Sequence, residues 1–150
     1  MEIIRDPVWN NIRVDRLALQ LVDTPVFQRL RYIRQLGLAY LVYPGATHTR
    51  FEHALGAYHL CKSTLGLLRE AEQLRDVDDT ECTIALAAAL LHDVGHYPFS
   101  HALEEIGAVH HEDVAGPLIE TGAIADVLQR HIGHDAPHRV LALIRGRSDS

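Results

Sequence analysis

Residues 84–101 read I-A-L-A-A-A-L-L-H-D-V-G-H-Y-P-F-S-H. The stretch begins with a wholly apolar run, residues 84–91, and this run is followed directly by the pair His92-Asp93. A segment that is apolar nearly all round is typical of a helix in the centre of a domain, so we predict a central helix from about Glu81 to Val94. Gly95 is placed to cap the C-terminus of this helix, and Pro98 prevents its continuation. A carboxylate placed against the core in this way needs a partner cation, hydrogen bonds or a metal.

The rest of the chain also reads as helices separated by turn-forming residues. Thr49 and Glu52 form a capping box, in which each side chain satisfies a free backbone N–H, and this box opens a long helix to about Leu74. Residues 1–14 are expected to be extended or turn-like, and no stretch alternates over the length of a strand. The sequence therefore predicts an all-α fold, a compact multi-helix bundle, with further helices at 15–22, 24–37, 111–120, 123–132 and 137–145.

Two of these helices have marked ends. Thr24 is placed to cap the helix 24–37, Pro25 occupies its first position and Gly37 is placed to end it. Asp135 is expected to cap the last helix, which has Pro137 just inside its start.

The long helix carries two apolar stripes at helical spacing. One begins at Phe51 and continues through Leu55 and Tyr58. The other places His53 on a largely buried face, whereas His59 falls on the side that faces water. The members of this second stripe are His53, Ala57, Leu60, Thr64 and Leu67.

Length and charge exclude several classes of protein. A chain of 150 residues is one domain by default, and 20 acidic against 14 basic residues give a formal net charge of −6. A general nucleic-acid binder normally has a basic surplus, so nucleic acid is not the favoured partner. Cys61 and Cys82 lie too far apart for a C-x-x-C pair, which disfavours a disulfide framework or a zinc ribbon.

The sequence gives no reason to expect a membrane partner. The N-terminal M-E-I-I-R-D lacks the pattern of a signal peptide. The longest apolar run, residues 84–91, is too short to cross a bilayer. We therefore expect a cytoplasmic protein.

Histidine is the unusual component, since there are eleven in the chain and five of them lie between His92 and His111. Near a helix end, His92 and Asp93 can converge on one ion, and His53 on the facing helix can supply a third ligand. Mixed imidazole and carboxylate ligands with open positions suit a catalytic ion. A second interpretation stands beside this one, in which the same histidines are hydrogen-bonded within a core and bind no metal.

Three segments taken together carry a family resemblance: D-T-P-V-F-Q-R-L-R-Y-I-R-Q-L-G at 23–37, Y-P-G-A-T-H-T-R-F-E-H-A-L-G at 43–56, and L-L-H-D-V-G-H-Y-P-F-S-H at 90–101. They resemble the HD superfamily of metal-dependent phosphohydrolases, in the branch that contains the deoxynucleoside triphosphate triphosphohydrolases. The resemblance extends to about residue 120. It implies a helical domain with a metal site between its central helices and hydrolysis of a nucleotide phosphoester by a metal-activated water.

The resemblance also implies roles for individual residues. The expected cofactor is a divalent ion (Mn, Fe, Ni, Zn or Mg), and the expected substrate is a nucleotide, most simply a (deoxy)nucleoside triphosphate. Relatives form dimers or larger assemblies, so a homo-oligomer is expected, with the apolar residues 38–43 available for contact. The implied residues are His53, His92 and Asp93 as metal ligands, Arg50 and His101 at phosphate, Gln35 at the sugar, His96 and His111 as catalytic histidines, and Glu104 as the acid that orients His111.

We assign residues 1–150 to a single HD domain. One part of the family pattern is missing from these residues. The family has a fourth metal ligand, an Asp on a later helix, and neither Asp135 nor Asp149 stands in that context. Either the ligand lies beyond Ser150 in a longer protein, or the chain is a short variant that uses water or another subunit. An alternative function is therefore a regulatory module that binds nucleotide or nucleic acid without chemistry, and a third is a helical interaction domain.

Overall fold

The structure, a computed structural model, describes residues 1–146. A short hairpin precedes a bundle of helices, and the predicted all-α class is confirmed. The elements are β1 Glu2–Asp6, β2 Asn10–Val14, α1 Arg16–Val22, α2 Pro25–Gln28, α3 Arg50–Glu70, α4 Asp79–Leu91, α5 Ser100–Glu104, α6 His111–Glu120, α7 Gly122–His131 and α8 Ala136–Ile144, with 3₁₀ turns at Arg29–Tyr32 and Ala39–Leu41.

The N-terminal residues form an antiparallel hairpin that the sequence did not predict as strands. Its register pairs Glu2 with Val14 and Asp6 with Asn10. The Asp6 carboxylate accepts hydrogen bonds from the backbone N–H groups of Val8 and Trp9, at 2.8 and 2.9 Å, which closes the turn. Burial alternates over only four residues of each strand, and in β1 the less exposed positions are Ile4 and Asp6, so the period-two pattern is too short to recognise in the sequence.

The predicted helix 24–37 is wrong beyond its first turn. Thr24 caps α2 as expected, with Oγ1 accepting from the backbone N–H of Phe27 at 3.3 Å. After the 3₁₀ turn, however, the backbone becomes extended at Ile33 and its carbonyl accepts from the N–H of Arg50 at 2.9 Å. Pairing with the segment before α3 therefore replaces helix propagation, and Gly37 lies in the following loop with φ +54°.

α3 confirms the capping box, because Thr49 and Glu52 exchange both side chain to backbone hydrogen bonds. The helix ends at Glu70, one turn before the predicted Leu74. The first apolar stripe is buried as far as Tyr58. The second stripe is not: Leu60 is 54% exposed and Leu67 is 67% exposed, because no described element covers that side of the helix.

α4 occupies the centre of the bundle, as predicted, and packs against α3 and α8. It ends at Leu91 and not at Val94, so His92 and Asp93 lie in the turn directly after the helix. Gly95 does not cap it. A Cβ at Gly95 would lie 2.0 Å from the carbonyl oxygen of His111, so this glycine allows the start of α6 to approach the turn.

The three C-terminal helices pack on one another and agree with their predicted bounds to within one residue. Asp135 precedes α8 but makes no side-chain capping bond, and its carboxylate faces Arg139 at 3.6 Å instead. Within residues 1–146, no helix has both the length and the apolar character that a membrane crossing requires.

Candidate metal centre

The His53, His92 and Asp93 side chains meet where α3 faces the end of α4. The two Nε2 atoms of His53 and His92 are 3.2 Å apart, and Asp93 Oδ1 is 3.2 Å from His92 Nε2. Bonds from a divalent ion to imidazole nitrogen and carboxylate oxygen are about 2.0–2.2 Å long, so atoms at this spacing can share one ion. The structure thus brings together the three residues that were expected to be metal ligands.

Hydrogen bonding prepares His92 for this role. Its Nδ1 lies 2.9 Å from the carbonyl oxygen of Ala89 and donates to it, which leaves the lone pair on Nε2. A backbone partner of this kind commonly fixes the tautomer and ring orientation of a metal-binding histidine. At His53, burial lowers the pKa, with the Asp93 charge opposing it, which favours the neutral imidazole that a metal requires.

Asp93 is 5% exposed and is surrounded by donors. Arg50 Nη1 donates to its Oδ2 at 2.7 Å, and His96 Nε2 lies 3.3 Å from its Oδ1. Burial raises the pKa of Asp93, but the His96 hydrogen bond, the neighbouring His92 imidazole and the Arg50 guanidinium outweigh it and hold the pKa well below its usual range. The carboxylate is therefore charged and available as a ligand.

Arg50 was expected at a phosphate, and the structure places it on Asp93. Its side chain is buried at the N-terminus of α3, and its Nε has no hydrogen-bond partner among residues 1–146. An unsatisfied buried donor costs about 1–3 kcal/mol. The orphaned Nε marks a polar group that a bound anion would satisfy, and the phosphate role stays a prediction.

A second group of histidines lies beside the predicted metal centre: His96 in the turn after α4, His101 on α5 and His111 at the start of α6. The rings of His96 and His111 are stacked with centroids 3.8 Å apart, and His101 lies 4.8 Å from His96. Glu104 Oε1 accepts from the backbone N–H and from Nδ1 of His111, both at 3.0 Å. The expected pairing of Glu104 with His111 is present, and it leaves His111 Nε2 as the free nitrogen.

His96 is 2% exposed and connects the two groups. Its Nδ1 lies 2.5 Å from Oγ of Ser100, and its Nε2 faces Asp93. Burial lowers the pKa of His96 below its usual value, and the Asp93 carboxylate opposes that shift. Sequence reasoning missed Ser100, whose only signal was its place in the motif 90–101.

Two cavities share Gln35, which was expected at the sugar. The larger has a volume of about 600 Å³ and is lined by Trp9, His53 and the carboxylates of Asp6 and Glu52, among others. The smaller, of about 290 Å³, is lined on its polar side by Arg34, Arg50 and His101. Gln35 therefore lies between an apolar and acidic space and a basic one.

Most remaining histidines lie away from this centre. His131 and His138 are exposed and meet Gln20 and Glu120, and His59 is half-buried against Trp9 with ring centroids 5.3 Å apart. His48 lies in the loop before α3 and lines the larger cavity.

The structure adds no fourth ligand to the metal centre. Within residues 1–146, no further His, Cys, Asp or Glu joins His53, His92 and Asp93. Asp135 is exposed and faces Arg139, and Asp149 lies outside the described residues.

Known proteins resemble the chain in sequence and in fold. Residues 50–147 match the family model described as HD domain. The deoxynucleoside triphosphate triphosphohydrolase SAMHD1 of Gallus gallus is 43% identical over 104 residues, which cover 69% of this chain and 17% of that protein. The uncharacterized protein YwfO of Bacillus subtilis is 38% identical over 144 residues, or 95% of this chain and 33% of that protein.

A solved structure of a phosphohydrolase from Bacteroides thetaiotaomicron superposes with a TM-score of 0.82 and 34% sequence identity. The match covers 99% of this chain and 36% of that one. The chain thus spans between about a sixth and about a third of the length of these relatives.

Proposed function

The chain belongs to the HD domain family, as the sequence motifs predicted, and on that premise we propose that it forms the metal-binding part of a phosphohydrolase that acts on nucleotides. The observation that carries this proposal is the convergence of His53 from α3 with His92 and Asp93 from the turn after α4. Two imidazoles and one carboxylate leave open coordination positions, which suits catalysis better than a closed structural site.

In this proposal His53 Nε2, His92 Nε2 and one Asp93 oxygen hold a divalent ion (Mn, Fe, Ni, Zn or Mg). When bound, such an ion supplies polarisation of a phosphoryl oxygen and activation of water. Ala89 keeps His92 in the required tautomer, and burial keeps His53 neutral. In this proposal both histidines are therefore already in the neutral form that metal binding requires.

Phosphate groups are assigned to the smaller cavity, because its polar lining is basic. Arg34, Arg50 and His101 face it, and arginine recognises phosphate with a planar fork of donors. Gln35 adjoins this cavity and is assigned to the sugar. The larger cavity is unfavourable for phosphate, because the carboxylates of Asp6 and Glu52 in its lining repel another negative charge.

Proton transfer is assigned to His96 and His111. Glu104 holds the Nδ1 side of His111, so its Nε2 can give a proton to a leaving oxygen or accept one from water. His96, hydrogen-bonded to Asp93 and stacked on His111, lies between this histidine and the metal ligands. Glu104 acts as a positioning residue, since it works through His111.

A (deoxy)nucleoside triphosphate is the proposed substrate class, supported by the relatives that carry the name deoxynucleoside triphosphate triphosphohydrolase. A cytoplasmic location and a homo-oligomer built on the apolar residues 38–43 complete the proposal. Leu41, Val42 and Tyr43 support the last point, because each is more than two-thirds exposed.

The test is turnover of a nucleotide panel by the chain with each divalent metal, for wild type, His92→Ala and Asp93→Ala. The expected result is metal-dependent release of phosphate, pyrophosphate or triphosphate that both variants lose. His134→Ala is the matched control, because this histidine is exposed, lies in the turn between α7 and α8 and does not belong to the group of His53, His92 and Asp93. Full turnover in His92→Ala or Asp93→Ala would show the assignment to be wrong.

The same panel separates the alternative function. Saturable nucleotide binding without any product would support a binding module and overturn hydrolysis by this chain. Absence of both metal and nucleotide binding would leave the helical interaction domain.

A further inference from the structure

Arg29 makes two hydrogen bonds across the molecule to the turn that carries the His-Asp pair. Its Nη1 donates to the carbonyl oxygen of His96 and its Nη2 to that of Val94, both at 2.7 Å. The guanidinium thus holds a segment that is 65 to 67 residues away in sequence. Burial lowers the pKa of Arg29, and the two carbonyls compensate for its lost hydration.

The position of these carbonyls gives the contact its importance. α4 ends at Leu91, so the carbonyls of Val94 and His96 lie in the turn beyond it, where no backbone N–H of residues 1–146 bonds to them. Val94 and His96 lie directly after Asp93, on either side of Gly95. Arg29 therefore fixes the backbone from which Asp93 and His96 project.

The opposite side of the same turn is held by α6. Gly95 has no Cβ, and one placed there would lie 2.0 Å from the His111 carbonyl oxygen and 2.7 Å from the Ala115 nitrogen. α6 approaches to backbone contact, and this places the His111 ring on the His96 ring. The turn is thus enclosed between the Arg29 guanidinium and the start of α6.

We propose that Arg29 is a positioning residue for this site, whose two-carbonyl contact holds the Val94–His96 turn so that His96 hydrogen-bonds both Asp93 and Ser100. The other arginines of the same segment do something else. Arg31 lies over the Phe51 ring at 3.6 Å, and Arg34 lies over the Tyr40 ring at 4.3 Å. Among these three, only Arg29 reaches the turn.

The inference rests on the proposed function, but its test does not need turnover. Nitrogen-15 spectra of the histidine rings report which ring nitrogen of His96 carries the proton, with the signals assigned by loss in His96→Gln. The full chain is recorded metal-free and with zinc, which is diamagnetic. The variants are Arg29→Met, Arg29→Lys and the matched control Arg31→Met, all below their unfolding temperatures.

In Arg29→Met the His96 nitrogens should move from the positions of one tautomer to those of a mixture, while Arg31→Met keeps the wild-type spectrum. Arg29→Lys should shift in the same direction, because an ammonium does not reproduce a planar fork that spans two carbonyls. Where wild type hydrolyses nucleotide, turnover of Arg29→Met should fall by about 10- to 100-fold, as for other residues that orient metal-site ligands.

A folded Arg29→Met with a wild-type His96 spectrum would overturn the inference. If Arg29→Met does not fold, Arg29→Lys decides, and a wild-type spectrum there overturns it as well. A wild type without turnover would count against the proposed function alone, because the spectra are read without substrate.

Discussion

The two halves of α3 have similar apolar content and opposite surroundings. The helix packs against the hairpin, the 3₁₀ turn Arg29–Tyr32 and α4, and its half from Arg50 to Tyr58 carries a buried arginine and a predicted metal ligand. From Leu60 to Glu70 no leucine is buried: Leu60 and Leu67 are exposed, and Leu65 and Leu68 are half-buried. Helical spacing thus shows that an apolar stripe exists, but not that the described chain covers it. The predicted metal ligand His53 lies in the half of the helix that packs against other elements.

The largest difference between the two halves should be in the metal content of variants with a substituted histidine. His53→Ala removes one of three ligands, and we expect the bound metal to be lost, measured by plasma mass spectrometry after desalting. His59→Ala, on the same helix but packed against Trp9, should retain the wild-type metal content. Equal metal content in both variants would contradict the assignment of His53.

The next largest difference should be in how much a charged pair in each half of α3 contributes to the free energy of unfolding. Arg50→Ala leaves the buried Asp93 without its cation, and breaking a buried pair costs about 3–5 kcal/mol. Arg69 faces Asp79 with both side chains mostly exposed, and such a pair contributes about 0–1 kcal/mol. The free energies of unfolding of Arg50→Ala and Arg69→Ala in urea give the comparison. Equal losses would mean that Asp93 is not charged in the fold.

Apolar truncation sharpens the same contrast. Leu55 is 2% exposed, so Leu55→Ala should lower the free energy of unfolding by about 2–5 kcal/mol. Leu67→Ala should change it by less than about 0.5 kcal/mol, as exposed substitutions do. A large loss in Leu67→Ala would indicate that another copy or another segment covers this stripe, and sedimentation would identify self-association.

Tyr58 lies at the boundary between the halves, and its substitution should have the smallest effect, which is on the pH dependence of stability. Its hydroxyl donates to Asp15 at 3.1 Å, and burial together with the Asp15 charge raises its pKa above the ordinary value of 10.0. Because the folded state keeps the proton that the unfolded state loses, stability should fall as pH rises above about 10. Tyr58→Phe should reduce this alkaline loss, measured by urea unfolding between pH 8 and about 11. An unchanged slope would contradict the hydrogen bond.

The sequence was most informative where local pattern and chemistry coincide. The capping box at Thr49, the central helix and the group of His53, His92 and Asp93 follow from spacing and from the family motifs. The hairpin, the early end of α2 and the roles of Arg29 and Ser100 do not, since each depends on contacts between distant segments. No local propensity encodes a guanidinium that reaches carbonyls 65 residues away.

The contact between Arg50 and Asp93 also bears on whether folding of the domain depends on a bound metal. The guanidinium already balances the buried carboxylate, so the fold has a resident cation of its own. Small zinc domains differ in that their structure forms only when the ion is present. We therefore expect metal binding and folding to be separate events: removal of a bound ion by a chelator should leave the helical fold intact, and the metal-free protein should bind the ion again without refolding.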